Sequence, residues 1–206
     1  MLGLPQTTEV KRTLPKLQLY KKFELKQAQR DAIDADIARF DFVNIIAPQS
    51  LPTIAEGLEV KAIFVVKVEL KRSDYNNSII AFVAKLIPQK IVYALQYEEQ
   101  IQLCVFHTRL LQSAWMPMAN ATITLQGLTL DETWKHIVVE IGRLDMQSEQ
   151  TIEQQIATND QQERLLRQIE TLEKRCRAEK QTKKKYELHQ QIVKLKEQID
   201  KSVKYN

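Results

Sequence analysis

The stretch that decides the fold is Lys61-Ala-Ile-Phe-Val-Val-Lys-Val-Glu-Leu-Lys71. Phe64, Val66, Val68 and Leu70 fall on one face of an extended chain, and Ile63, Val65, Lys67, Glu69 and Lys71 on the other. One face is apolar throughout; the second becomes charged in its C-terminal half. That pattern reads as a central strand. Downstream, Ser73–Asn77 supplies helix-start residues. Ile79, Ile80, Phe82, Val83, Leu86 and Ile87 then give a wide apolar helix face that stops at Pro88. Strands are expected at Lys90–Tyr97 and Ile101–His107, joined as an antiparallel hairpin through the short link Glu98-Glu99-Gln100.

Upstream, residues 24–40 read as a helix and Asp41–Ala47 as a short strand ended by Pro48. Residues 1–22 hold two Leu-Pro pairs, Leu4-Pro5 and Leu14-Pro15. The residue before proline is pushed away from helix, so an extended arm is expected there. Beyond the hairpin, Ala121–Leu125 reads as a strand. Thr129-Leu-Asp-Glu132 has the capping-box form and opens a helix to about Leu144, with Trp134, Ile137, Val138 and Ile141 inward. Strands and helices mix without regular alternation. The expected class is α+β, a mixed or antiparallel sheet packed with helices.

Composition changes near residue 147. All six prolines precede it, and after it there is no Pro, Gly or Trp. The expected division is an arm at 1–22, an α+β domain at 23–147 and a helical tail at 148–206, the boundary falling at Met146-Gln-Ser-Glu-Gln-Thr. In the tail, Leu165, Ile169, Leu172 and Cys176 step by 4, 3 and 4, and so do Leu188, Ile192, Leu195 and Ile199. Each set is a coiled-coil seam. The second is offset by 23 residues, which at about 100° per residue turns the stripe by roughly 140°. Either the tail is a hairpin turning near Glu179–Lys185, or it is one long helix whose halves meet different partners. These seam residues are the expected partner-binding surface, toward another protein or a second copy.

Charge is equally segregated. Residues 1–150 carry 17 basic and 17 acidic side chains; residues 151–206 carry 13 and 9, so the whole net +4 lies in residues 151–206. Between positions 174 and 185, Lys174, Arg175, Arg177, Lys180, Lys183, Lys184 and Lys185 face a single acid, Glu179. Such a run suits phosphate contact. With Tyr186 as its one aromatic neighbour, backbone contact is expected rather than base stacking.

Other chemistry is sparse. Four glycines in 206 residues, none clustered, disfavour phosphate-cradling loops and dinucleotide folds. Cys104 and Cys176 match no zinc or redox spacing and fit a reducing, cytoplasmic setting. His107, His136 and His189 make no metal-ligand pattern, so neither metal nor cofactor is expected. No apolar run reaches the length of a membrane span. Glu69-Leu-Lys71 has the form of the E-x-K half of a PD-(D/E)xK nuclease site, which needs carboxylates on a divalent metal and a lysine near the attacking water. Asp41, Glu56 and Glu59 are the candidate first acids, and no Pro-Asp pair precedes them.

Four segments together are similar to a known family: Met1–Val10 (MLGLPQTTEV), Val60–Lys71 (VKAIFVVKVELK), Ala84–Tyr93 (AKLIPQKIVY) and Arg177–Leu188 (RAEKQTKKKYEL). The chain resembles the bacterial domain of unknown function 4391 family over nearly its whole length. The resemblance implies a context: genes beside a helicase and a DNA methyltransferase in restriction-like anti-phage clusters. It carries no catalytic residues. The resulting expectation is a non-enzymatic accessory subunit that binds a helicase or DNA methyltransferase, with DNA touched by the basic tail. The alternatives are a metal-dependent nuclease centred on Glu69 and Lys71, and a stand-alone DNA-binding protein.

Overall fold

The computed structural model describes residues 2–145 and 151–204, with side chains described as far as 199. The composition boundary expected at 146–151 lies almost wholly outside the described residues. The chain divides into two compact units, Met1–Leu144 and Asp145–Asn206.

The first unit is α+β with a mixed seven-stranded sheet. In chain order its elements are β1 (Glu9–Leu14), α1 (Lys16–Lys22), α2 (Gln27–Asp36), β2 (Ile37–Ile46), β3 (Ile63–Leu70), α3 (Asn77–Leu86), β4 (Lys90–Tyr97), β5 (Gln100–Phe106), β6 (Leu110–Gln112), β7 (Met116–Pro117) and α4 (Leu130–Gly142). The strand order is β1-β2-β3-β4-β5-β6, with β7 paired to β5. Neighbouring strands are antiparallel except β3 and β4, which run parallel. A parallel pair needs a crossover, and α3 supplies it.

The alternation in Lys61–Lys71 places β3 as read. Val66, Val68 and Leu70 enter an apolar cluster with Leu19 and Tyr20 of α1, Ile33 of α2 and Ile80 and Val83 of α3. On the opposite face Ile63 and Val65 are fully buried, as are Val92 and Val105 on β4 and β5. There α4 turns Ile137 and Ile141 toward Leu103 of β5. Helices therefore cover both faces, which is what a buried parallel pair requires.

Three expectations are corrected. Residues 1–22 are not an extended arm: β1 pairs with β2, α1 buries Leu19 and Tyr20, and Leu2 and Leu4 are buried. The Leu-Pro pairs act as punctuation instead. Pro15 stands at the N-cap of α1, ending β1 and starting the helix. The helix expected over 24–40 stops at Asp36, because Ile37 and Phe40 pair in β2 with Leu70 and Val68 of β3. Ile33, Ile37 and Phe40 are buried in that arrangement too, so the helical reading placed the right residues inside by the wrong route. Finally, Ala121–Leu125 is not a strand. Ala121 and Ile123 are buried in alternation, but the Ile123 N–H donates to the Leu2 carbonyl at 3.0 Å outside the sheet.

The second unit is built from α5 (Ile152–Ala178) and α6 (Thr182–Lys204). Lys196 Nζ donates to Glu173 at 2.9 Å, and Cys176 Sγ lies 3.6 Å from the Lys185 carbonyl. Partners separated by 23 and 9 residues mean that the chain doubles back. The tail is a helical hairpin, the first of the two expected arrangements. No glycine marks its turn. Glu179 leaves the helix with extended backbone and accepts the Gln181 N–H on its own carboxylate at 2.9 Å.

Candidate functional site

Two features bear on function, one in each unit. The first is the charged end of the sheet. Antiparallel pairing sets Arg39 against Glu69 and Asp41 against Lys67, so all four side chains share one face. Arg39 bonds Asp41 at 2.8 Å and Glu69 at 3.2 Å, and Thr13 Oγ1 donates to Asp41 at 2.8 Å. Sheet register thus makes Asp41 the diagonal neighbour of Glu69 and singles it out among the three candidate acids. Glu56 instead pairs with Lys61 at 3.0 Å, in the loop before β3. Glu59 sits in that same loop, its N–H turned to Asp131.

Glu69 and Lys71 have different partners. Lys71 lies beyond the end of β3, and its ammonium donates to the Asp34 carbonyl in the last turn of α2. A cation there meets the negative end of the helix. Asp34 also receives bonds from Lys16 and Tyr20. Burial opposes ionisation of Asp34, but those two bonds and the charges of Lys16 and Lys71 outweigh it and hold the carboxyl below its usual range. Nearby, Asp36 is 1% exposed and accepts from Arg72 Nε at 2.7 Å and the Asn76 N–H at 2.8 Å, joining α2 to the start of α3. Among the described residues no group of three or more His, Cys, Asp and Glu side chains converges as a metal ion would need.

The second feature is the hairpin tip. Because α5 ends at Ala178 and α6 begins at Thr182, the run from 174 to 185 wraps the turn. Lys174, Arg175, Arg177, Lys180, Lys183, Lys184 and Lys185 are all exposed. Among the described residues only Lys174 and Arg177 of these form ion pairs, with Glu170 at 2.7 Å and Glu173 at 4.0 Å. The lone acid Glu179 has its carboxyl held low first by the Gln181 N–H and also by the Lys180 N–H and the Lys184 charge. It is committed to the turn. The seams point inward: Ile169 and Ile192 are buried, and Leu165, Leu172, Cys176, Leu188, Leu195 and Ile199 are half-buried.

The family model described as Domain of unknown function (DUF4391) matches residues 2–199. The chain belongs to the DUF4391 family. No curated protein and no solved structure matches it. In this DUF4391 chain the remaining titratable groups are dispersed. His136 lies on α4, His189 on α6 and His107 just past β5. Burial pushes the Cys104 thiol up to about 12, so it is an inert core thiol. Among the described residues no helix is long and apolar enough to cross a membrane.

Sequence reasoning missed Arg39, which ties Asp41 to Glu69, and Asp131, which organises the loop before β3. Neither carries a local signal, since both act across strand pairing or across some seventy residues of chain.

Proposed function

We propose that this DUF4391 chain is a non-enzymatic accessory subunit of a bacterial DNA-targeting, restriction-like defence complex. Its α+β body docks on a helicase or DNA methyltransferase, and its hairpin reaches the nucleic acid. The observation that carries the reading is the exposed basic tip. Lys183, Lys184 and Lys185 occupy the first turn of α6, which holds no acid. Cations at that end oppose the helix dipole, so these lysines weaken the helix that bears them. Phosphate contact gives the cluster a use that helix stability does not. In the same proposal the two seams wind as a short antiparallel coiled coil. Ile169 and Ile192 then serve the hairpin, and partners meet its outer faces and the body.

The test is company. Tagged full-length chain, captured from its native host after nuclease treatment, is expected to bring down a helicase or methyltransferase in fixed proportion. Capture of the chain alone would count against the accessory reading.

One observation favours a second reading. The sheet places Asp41 beside Glu69, two carboxylates on one face at a sheet end, as a metal-dependent nuclease requires. Against it stand Arg39 between the acids and the Lys71 ammonium, which is engaged with the Asp34 carbonyl of α2. Divalent-metal-dependent DNA cleavage that is lost in both Asp41→Asn and Glu69→Gln would establish this reading; cleavage indifferent to both would remove it.

A further inference from the structure

The two most exposed large apolar side chains among the described residues stand at the start of α4. Leu58 is 92% exposed and Leu128 78%. Scattered singly, such residues mean little; on adjoining loops that are fixed in place they mark a contact surface. These loops are fixed. The Leu58 N–H donates to Asp131 and the Leu128 N–H to Glu132, while the Leu128 carbonyl accepts the Ala55 N–H at 2.8 Å. Ala55 and Thr129 form a parallel bridge that ties one loop to the other. A Cβ on Gly57 would collide with Asp131, so a glycine stands where the backbone must come close to present Leu58. A surface ordered before contact loses less entropy on binding.

Charge says what the surface fits. Segments 56–61 and 128–132 hold Glu56, Glu59, Asp131 and Glu132 against one cation, Lys61. The complement is an apolar recess edged by positive charge, and the body has one. A recess of about 330 Å³ lies under α1, with Leu14, Phe23, Phe42, Phe64 and Ile91 in its wall and no acid among its lining residues. Lys22 stands at its edge, the ammonium 5.5 Å from the centre of the Phe23 ring. Gln18, one turn earlier on α1, lines it too and is exposed. Phe42, Phe64 and Ile91 lie on the sheet face of Val66, which α1 and α3 cover; α4, beside the two leucines, covers the other face. A chain therefore cannot fill its own recess.

We propose that Leu58 and Leu128 of one copy dock in the α1 recess of a second copy, with Glu59 turned toward Lys22. The two surfaces differ and face opposite ways, so the contact is heterologous. Two copies cannot satisfy both surfaces at once, and association runs past the dimer until it closes as a ring or continues as a filament. A contact of this size is weak, so it shows as the concentration rises. This inference goes beyond the partner and DNA contacts proposed above and uses no residue of the tail.

Sedimentation velocity of the full chain tests it, from about 1 μM to about 1 mM, the range in which weak contacts fall. The wild-type mass is expected to climb past that of a dimer. Leu58→Asp sets a charge in the contact at a solvent-exposed position. Gln18→Glu combined with Lys22→Glu reverses the edge of the recess without touching its apolar wall. Each of these two proteins alone is expected to stay monomeric. Mixed in equal amounts, they supply one intact leucine pair and one intact recess. The mixture is expected to form a species of twice the monomer mass and nothing larger. Thermal unfolding checks that both fold, and Leu128→Asp replaces Leu58→Asp if that one does not. A wild type that stays monomeric throughout would overturn the proposal. So would a variant that associates like wild type, as it would through the tail, or a mixture that stays monomeric.

Discussion

Asp131, in the first turn of α4, accepts N–H bonds from Leu58 at 2.7 Å, Val60 at 2.8 Å and, more weakly, Glu59. The Val60 bond lowers its carboxyl most; burial opposes, and the Leu58 and Glu59 bonds and the Lys61 charge add to the lowering. The folded value therefore lies below the unfolded one. The stabilisation is complete above an ordinary carboxylate pKa of about 3.9 and is lost as pH falls through the folded value. Asp131→Asn is expected to melt lower than wild type at neutral pH, with the gap narrowing as pH falls below the ordinary carboxylate value of about 3.9; a constant gap in Tm would refute this account. Gly57 belongs to the same cradle. A Cβ there would stand 2.4 Å from Asp131 Oδ1 and 2.9 Å from its backbone nitrogen. Gly57→Ala should cost about 1–3 kcal/mol by urea unfolding, the usual range for overpacking. Thr129 and Glu132 were legible as a capping box because their partners are local, and Thr129 does accept the Glu132 N–H. The Glu132 carboxylate instead takes the Leu128 N–H. Asp131 between them was illegible because its partners lie more than seventy positions away.

Among elements, β3, α3, β4, β5 and α4 were legible because period and stop signals agree: alternation in the strands, Pro88 after α3, Thr129 before α4. The break between α2 and β2 was not. Asp36 and Ile37 carry no glycine or proline; β2 starts there because β3 is available to pair with it, a tertiary fact that overrides helix propensity. In the hairpin, phase arithmetic did reveal that two stripes 23 residues apart cannot face one groove from a straight helix. A turn near Glu179–Lys185 is one of two open readings of the sequence, because no glycine or proline marks it and Glu179 caps it with its own side chain. The buried seam residues can be weighed directly. Ile169→Ala and Ile192→Ala should each destabilise the helical hairpin by about 2–3 kcal/mol, in the lower part of the range for buried isoleucine. Leu166→Ala, at a site 55% exposed, should stay within about 0.5 kcal/mol. Helical circular dichroism during urea unfolding reads all three, and equal effects at Leu166 and Ile192 would contradict the inward-facing seams.

Across the whole molecule, residues 1–150 are balanced in charge and residues 151–206 hold the entire formal excess of +4, and folding concentrates that excess further by turning the chain at Glu179. Sequence order alone gave the run of seven cations; the turn sets them around one tip. If that tip lies along DNA, binding releases counterions, and log K falls linearly with log salt at about 0.9 per phosphate contact on duplex. Replacing Lys183, Lys184 and Lys185 together by Gln removes as many as three contacts. The slope should become shallower by about 2.7 if all three touch phosphate. Affinity at low salt should fall for every DNA sequence alike, because backbone contacts carry no base information. The substitutions should not unfold the helix, since glutamine is about as good a helix former as lysine and relieves the repulsion at the start of α6. Fluorescence anisotropy with two unrelated duplexes over a salt series measures slope and selectivity together. A triple variant with the wild-type slope would place the DNA contact elsewhere or nowhere, and a loss confined to one duplex would mean base readout rather than a backbone clamp.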